Sequence, residues 1–528
     1  MRLRRLKILE SGAGGGLFDG ADISFGRETK DSDSEALAPL CLIGPNGSGK
    51  SQFLQLIAEI FQAAWHAHDR KQERLSANEQ LLFDLTYSIV PEGAKKEEEV
   101  RLVRTMKARS RGPIELYRGD ELVAASSIEF ARYLPPLIVG YTSGDNETLS
   151  LPFLASRAGY ADDVAKAALR KVVDGEIADN RMMLIDYGTN LEVLFANMIL
   201  GKLLVRNEII KHANLTDLAS CRCTLRLAHS AIKKAPAVQV RRTGRKGIQL
   251  TSELEEIVDR LKRISTCWHE DVETETYTFD FFISDATREA FGHFWSSSIS
   301  LYRDLHKLAL LNDLAIPRPA RRRLERAVKE RRFALRLPEP QQEDMVFGFE
   351  EVRFSPKNLE RAPVDYVSLS DGEHQQALVL GVYAMVSETN AIFLLDEPES
   401  HFNPIWRVMF IQRLKRLTGK RLNQELVLTT HAPFVPSDMP RESIMIFVRN
   451  GEKAAVEQPK IETFGAEYDR ILEMCFQIRP TSSLIAEQEI EKLLESNDIG
   501  VVEDGLAELG PSIGKALVAD HLRKLHKT

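Results

Sequence analysis

The chain has 528 residues, 43% hydrophobic and 28% charged, with a formal net charge of −7. That is ordinary globular composition in a length beyond one domain, so two or three lobes are expected. The charge excludes a chain that binds polyanions over its whole surface and confines any nucleic-acid contact to local patches. No apolar run is long enough for a membrane helix. The basic start, Met1 to Leu9, breaks into Gly12, Gly14, Gly15 and Gly16 without the apolar core of a secretory signal. Five cysteines without a CxxC pair fit a reducing, cytoplasmic setting. A zinc site at Cys221-Arg222-Cys223 would need two further ligands that have no evident source.

In chain order, Leu3, Leu6 and Ile8 among basic residues suggest a first strand. Residues 38–43 form a short apolar run that ends at Gly44. After Ser51, the spacing of Phe53, Leu54, Leu56, Ile57, Ile60 and Phe61 predicts a helix. Alternating segments such as Phe83 to Ile89 predict an antiparallel sheet across about 80–141. Residues of about 150 to 340 read as mainly helical, with a strand-like insert at Thr276 to Ile283. Pro317, Pro319, Pro338 and Pro340 bracket a basic helix that leads out of this lobe. Strand and helix then alternate over 345–450. The tail reads as helical, with Leu493, Leu494, Leu506, Leu509, Leu517 and Leu522 as its core. The boundaries expected are 1–150, 151–343, 344–450 and 451–528.

Gly44-Pro45-Asn46-Gly47-Ser48-Gly49-Lys50-Ser51 matches GxxxxGK[ST] in full, between an apolar strand and a helix. Glycines let the backbone curl so that N–H groups converge on a phosphate, and the helix adds its positive end. Lys50 is placed to bridge the β- and γ-phosphates and Ser51 to ligate Mg²⁺. Gln52, the next residue, completes the nucleotide-binding set.

Ile392 to Leu395 run straight into Asp396-Glu397. A wholly apolar strand belongs in the middle of a parallel sheet, whose C-terminal end presents catalytic groups. Asp396 is expected to hold Mg²⁺, and Glu397 to orient or deprotonate the attacking water. Adjacent strand residues point to opposite sides, which gives the two carboxylates separate roles. Leu426 to Thr430 read as another such strand, ending at His431, which can reach a γ-phosphate.

Val367-Ser368-Leu369-Ser370-Asp371-Gly372-Glu373-His374-Gln375, ahead of a helix and the acidic strand, resembles the ABC-type signature. Pro398 to Pro404 resemble the D-loop, with Ser400, His401 and Asn403, and Thr429 to Phe434 resemble the switch-histidine segment. With the phosphate loop, these make the chain similar to the non-transporter branch of ABC ATPases: the Rad50, SMC, RecF and OLD-like proteins. Within it the layout is most similar to ATPase subunits of restriction and anti-phage modules, such as Septu, PARIS and retron-linked systems. The motifs cover 1–60 and 345–450.

The resemblance implies an α/β fold: an ABC-type P-loop head with a mixed central sheet, an antiparallel β subdomain, a large mainly helical insertion and a helical tail. It implies ATP and Mg²⁺ as cofactors and catalysis by Lys50, Glu397 and His431. It also implies a homodimer or higher even-numbered oligomer. In that arrangement Ser370 and Gly372 of one subunit meet the γ-phosphate on Lys50 of another, with Asp371 and Glu373 beside them. Asp371 and Glu373 stand where transporter signatures carry glycine and glutamine, which weakens a transporter assignment. The Thr142 to Glu147 segment is a positional candidate for the Q-loop.

Two basic clusters could meet nucleic acid or a protein partner: Arg241, Arg242, Arg245 and Lys246 in a glycine-containing loop, and Arg318 to Arg336, including Arg321, Arg322 and Arg323. Val501 to Gly505 superficially resemble a Toprim acidic strand, but no Asp-x-Asp follows. The chain therefore reads as lacking its own nuclease, and the resemblance implies a separate nuclease effector. The alternatives are a RecF- or Rad50-like DNA repair ATPase, a transporter's energising subunit, and a scaffold that holds ATP without turnover.

Overall fold

The computed structural model describes residues 1–528 except 13, 27–38, 74, 75, 77, 144–146, 158, 159, 162, 166–179, 186–189, 212, 229–243, 331–340, 359, 419–422, 477–482, 527 and 528. The first strand, β1 (Arg2–Glu10), buries Leu3, Leu6 and Ile8 although they are unevenly spaced. A register shift between Leu3 and Arg5 absorbs the extra residue and returns Leu6 to the inner face. β2 (Asp22–Ser24) pairs with it, and β3 (Leu40–Ile43) feeds the phosphate loop and helix α1 (Lys50–His68). β4 (Leu82–Ile89), β5 (Glu98–Arg104), the small hairpin β6 (Met106–Lys107) and β7 (Ser110–Arg111), β8 (Glu115–Arg118) and β9 (Glu121–Val123) follow. The antiparallel sheet runs β2-β1-β4-β5-β8-β9.

β10 (Ile138–Thr142) and β11 (Met182–Ile185) join a different sheet, with β17 (Ile392–Asp396), β18 (Glu425–Thr429), β19 (Ile444–Asn450) and β20 (Lys453–Glu457). Its order is β11-β10-β17-β18-β3-β19-β20, parallel throughout except for β20. β3, β17 and β18 are buried at every position because both faces are covered. Leu40 and Leu42 pack with α1 and the antiparallel sheet, whereas Cys41 and Ile43 belong to the core on the other side. Helix α1 is therefore wedged between two sheets, which explains its apolar residues on nearly every face.

Between these halves lie helices such as Asn190–Leu200, Ser252–Ile264 and Ser298–Ala309. They pack on a sheet that the helical patterning of 151–343 did not announce beyond its one insert. β12 (Leu215–Arg226), β13 (Cys267–Asp271), β14 (Thr276–Phe282), β15 (Phe347–Pro356) and β16 (Val364–Asp365) run β13-β14-β12-β15-β16. β15 lies beyond residue 343, and β10 and β11 straddle residue 150, so neither boundary separates one sheet from the next. In the tail, helices Leu484–Glu495, Ile499–Glu508 and Ile513–Leu525 enclose Leu493, Val502 and Val518. Leu517, expected in that core, is 53% exposed because Val518 takes the inward position of the last helix.

Candidate nucleotide-binding site

The phosphate loop leaves β3 at Gly44, where φ is +142° and an added Cβ would lie 2.2 Å from the Phe447 carbonyl oxygen of β19. Only glycine permits that approach. Gly49, at φ +99°, turns the chain into α1 against Leu17 and Phe18. Gly47 has open space around it, so the loop leaves a cradle. The side-chain oxygens Ser48 Oγ and Gln52 Oε1 are buried without a partner among the described residues. Lys50 Nζ donates to the carbonyls of Gly44 at 2.9 Å and Pro45 at 3.1 Å. Burial pulls its ammonium down to about 8, against the attraction of Glu397 and Asp396.

β17 delivers Asp396 to the same place, buried, with Oδ1 accepting from Ser51 Oγ at 3.0 Å and from Thr429 Oγ1 at 2.6 Å. Glu397 then departs from the strand at φ +49°. Its separation from Asp396 thus comes from a left-handed residue after the strand end, not from strand alternation. The Glu397 N–H donates to Thr429 Oγ1 at 2.9 Å. Glu397 Oε1 lies 2.8 Å from His431 Nε2, and both side chains are about one-third exposed (36% and 34%). That hydrogen bond, ahead of the opposing effect of burial, holds the Glu397 carboxyl below the usual range.

These residues open onto a cleft of about 380 Å³ lined by Leu17, Asn46, Gly47, Lys50, Ser51, Glu397, His431 and Arg449, among others. A hydroxyl and a carboxylate 3.0 Å apart at the phosphate cradle are the oxygen donors a magnesium ion takes, so the residues fit that ion. Among the described residues there is no cluster of three or more His, Cys, Asp and Glu that could hold a metal. That is compatible with magnesium, which keeps water and phosphate oxygens as most of its ligands.

The signature segment does not line this cleft. Ser370 caps the helix Asp371–Met385 from an exposed position. It forms a capping box: Ser370 N and Oγ each donate to Glu373 Oε2 at 2.8 Å, and Glu373 N donates to Ser370 Oγ at 3.4 Å. Asp371 is exposed. A Cβ on Gly372 would lie 2.8 Å from the His401 carbonyl oxygen, so signature and D-loop pack together within one chain. Gln375 cements them, donating to Tyr141 at 2.7 Å and Ser400 Oγ at 3.3 Å and accepting from His401 N at 3.0 Å. Asn403 Oδ1 accepts from Trp406 N, capping the helix Pro404–Thr418.

Sequence reasoning included Thr429, Thr430, Glu399 and Gln375 in its motifs but gave none of them a role. Glu399 is buried and receives the Thr430 hydroxyl on Oε1. Burial pushes its carboxyl up to about 7. The signal available was a Thr-Thr pair at the end of the strand beside the acidic one. Of the Q-loop candidate, Thr142 and Ser143 abut the site: Ser143 N donates to the Asp396 carbonyl at 3.2 Å. Residues 144–146 lie outside the described residues.

Arg241 and Arg242 also lie outside them. Arg245 is corrected: it pairs with Glu255 and reaches Tyr277 OH at 3.3 Å, its side chain only 13% exposed. It holds loop to helix and offers no free charge. Arg321 is half-buried, its Nε donating to the Ile316 carbonyl, whereas Arg322, Arg323 and Arg326 are exposed.

Residues 239–438 match a family described as "AAA domain, putative AbiEii toxin, Type IV TA system". That span includes the signature, Asp396, Glu397 and His431 but not the phosphate loop. A 93-residue stretch is 30% identical to "Protein ea59" of Escherichia phage lambda, covering 18% of this chain and 18% of that protein. Solved structures that are similar include an SMC head bound to the C-winged helix domain of ScpA, at 10% identity and TM-score 0.32, covering 87% of this chain and 98% of that one. The SMC head domain from Thermotoga maritima aligns at 11% identity and TM-score 0.34, with 87% and 100% covered. At such scores the architecture rests on the strands and helices themselves. The family match supports an AAA-type ATPase in general.

Proposed function

We propose that this chain binds ATP with Mg²⁺ in the cleft and hydrolyses it when two protomers close on the nucleotide. The observation that carries the reading is the convergence of Lys50, Ser51, Asp396, Glu397 and His431, drawn from three segments of the chain, on one cleft. The signature lies on a different, solvent-facing surface flanked by Val367 and Ile405, which are 80% and 69% exposed. Apolar residues so placed suit a covered surface, and a second copy supplying its signature helix end to the γ-phosphate covers it.

In this reading Lys50 releases its two loop carbonyls and turns its ammonium to the β- and γ-phosphates. Ser51 and Asp396 hold the metal, which when bound screens the charge on the transferring phosphoryl group. Glu397, kept ionised by His431, orients a water toward the γ-phosphorus. As the new O–P bond forms and the bond to the β-phosphate oxygen breaks, the water's proton passes to Glu397. A carboxylate held below its ordinary range is a weak base, so orientation is its larger contribution. The His431 imidazole, fixed on Glu397, faces the same phosphate.

The wider role we propose is in phage–host conflict, with control of a separate nuclease, in the cytoplasm. The description of the matching family and the similarity to a phage protein support it. A second reading, a RecF- or Rad50-like DNA repair ATPase, draws on the exposed Arg322, Arg323 and Arg326 of the helix Arg318–Lys329, which could follow a phosphate backbone. Turnover by the purified chain tests the core of the proposal: Lys50→Ala should abolish it, and full turnover in that variant would overturn the reading. Salt-dependent DNA binding that Arg322→Glu/Arg323→Glu removes would favour the second role.

A further inference from the structure

The site contains a buried polar pair that the hydrolytic reading does not use. β17 and β18 are parallel neighbours, and each of the two threonines after Leu428 reaches across to an acid of the segment following Leu395. Thr429 binds Asp396, and Thr430 binds Glu399. Thr430 is wholly buried; its N–H donates to the Leu42 carbonyl of β3 at 3.1 Å. Its Oγ1 also accepts the N–H of Ala432 at 2.9 Å. One hydroxyl thus fixes the backbone on both sides of His431. Its acceptor, Glu399, is 2% exposed, and Glu399 Oε2 has no partner among the described residues. Glutamate is seldom buried without pairing, and an apolar side chain would fill the space at lower cost. A carboxyl does what an apolar group cannot: it gives the Thr430 hydroxyl a fixed direction.

We propose that Glu399 and Thr430 form a latch that positions His431 against Glu397, making Glu399 a positioning residue for turnover that does not touch the nucleotide. The inference rests on the ATPase reading of the cleft. The latch ties the turn after the acidic strand to the histidine segment, so the 2.8 Å His431–Glu397 contact is set from both ends. Displacement of a positioned group by about 1 Å can lower a rate by about 100-fold.

The test uses the full chain with Mg-ATP. Thr430→Val and Glu399→Ala should each lower kcat by about 10- to 100-fold with KM within about 2-fold, and the double variant should be no worse than either single one. Glu399→Gln, which keeps the acceptor oxygen, should rescue most of the rate. Hydrogen exchange over residues 426–435 gives a readout independent of turnover: faster at Ala432 in Thr430→Val and Glu399→Ala, unchanged in Glu399→Gln. Wild-type kcat in Thr430→Val, a loss confined to KM, a Glu399→Gln variant as slow as Glu399→Ala, or unchanged exchange would overturn the latch. A wild-type chain without turnover would refute the ATPase reading instead, and the exchange result would still decide the latch. If Glu399→Ala fails to fold, Thr430→Val and Glu399→Gln carry the test.

Discussion

Replacing Glu399 by Gln should make the protein more stable, and by an amount that depends on pH. Burial raises this carboxyl from an ordinary 4.5 to about 7. Between those values the folded chain keeps a proton that the unfolded chain has released, so stability falls as pH rises through the interval. Below about 4.5 both states are protonated and the carboxyl imposes no penalty; above about 7 the full penalty, about 3 kcal/mol, is present. Glutamine has the same shape and never ionises. The stability difference in its favour should therefore open between pH 4.5 and 7 and level off above. With about 2 cal/mol/K of unfolding entropy per residue, a cooperative transition of a chain this long would move by about 3 °C. Thermal or chemical unfolding of both proteins at pH 5, 6, 7 and 8 is the assay. A difference that does not change with pH, or one that favours glutamate at pH 8, would refute the account of this group.

Glu397→Gln should keep nucleotide affinity but lower kcat by about 100-fold or more, since the neutral amide has one acceptor oxygen in place of a charged pair to orient the water and cannot take its proton; equal turnover of the two proteins would mean that Glu397 does not act on the water. Glu373→Gln should strengthen ATP-driven self-association, read by analytical ultracentrifugation, because the Glu373 carboxylate occupies the Ser370 N–H and hydroxyl that a phosphate would need. Unchanged association would show that the capping box does not compete with the nucleotide. Lys50, held down at about 8 in the nucleotide-free protein, loses its charge as pH rises through that value. Affinity for a fluorescent ATP analogue should therefore fall above pH 8, approaching about tenfold per pH unit. Lys50→Ala should show no such slope, and an equal slope in both would refute the assignment.

The parts of the site that were legible in the sequence are those whose physics is local. A phosphate loop needs glycine at fixed offsets, and Gly44 and Gly49 adopt backbone conformations that favour glycine. An apolar strand running into acids is likewise a short-range pattern. The strand Leu215–Arg226 was hidden for a definite reason. Its buried residues Leu215, Leu218, Cys221, Cys223 and Leu225 are partly three apart, because bulges at Leu215/Asp217 and Leu218/Ser220 each insert a residue. Spacing of three imitates a helix, so the segment read as helical. The latch was illegible because Thr430 and Glu399 meet only once the order of strands in the sheet is known. Arg245 misled for the same reason, its partner Glu255 lying on a helix whose packing a charge count does not reveal.

The central claim, that each nucleotide is completed by two chains, is tested most directly by mixing two inactive variants. Lys50→Ala lacks a working phosphate loop, and Ser370→Arg lacks a working signature. A mixed dimer has one site with both defects and one with neither, so an equal mixture should recover roughly a quarter of wild-type ATP turnover. A mixture as inactive as its two components, under conditions where the chains exchange partners, would contradict the claim.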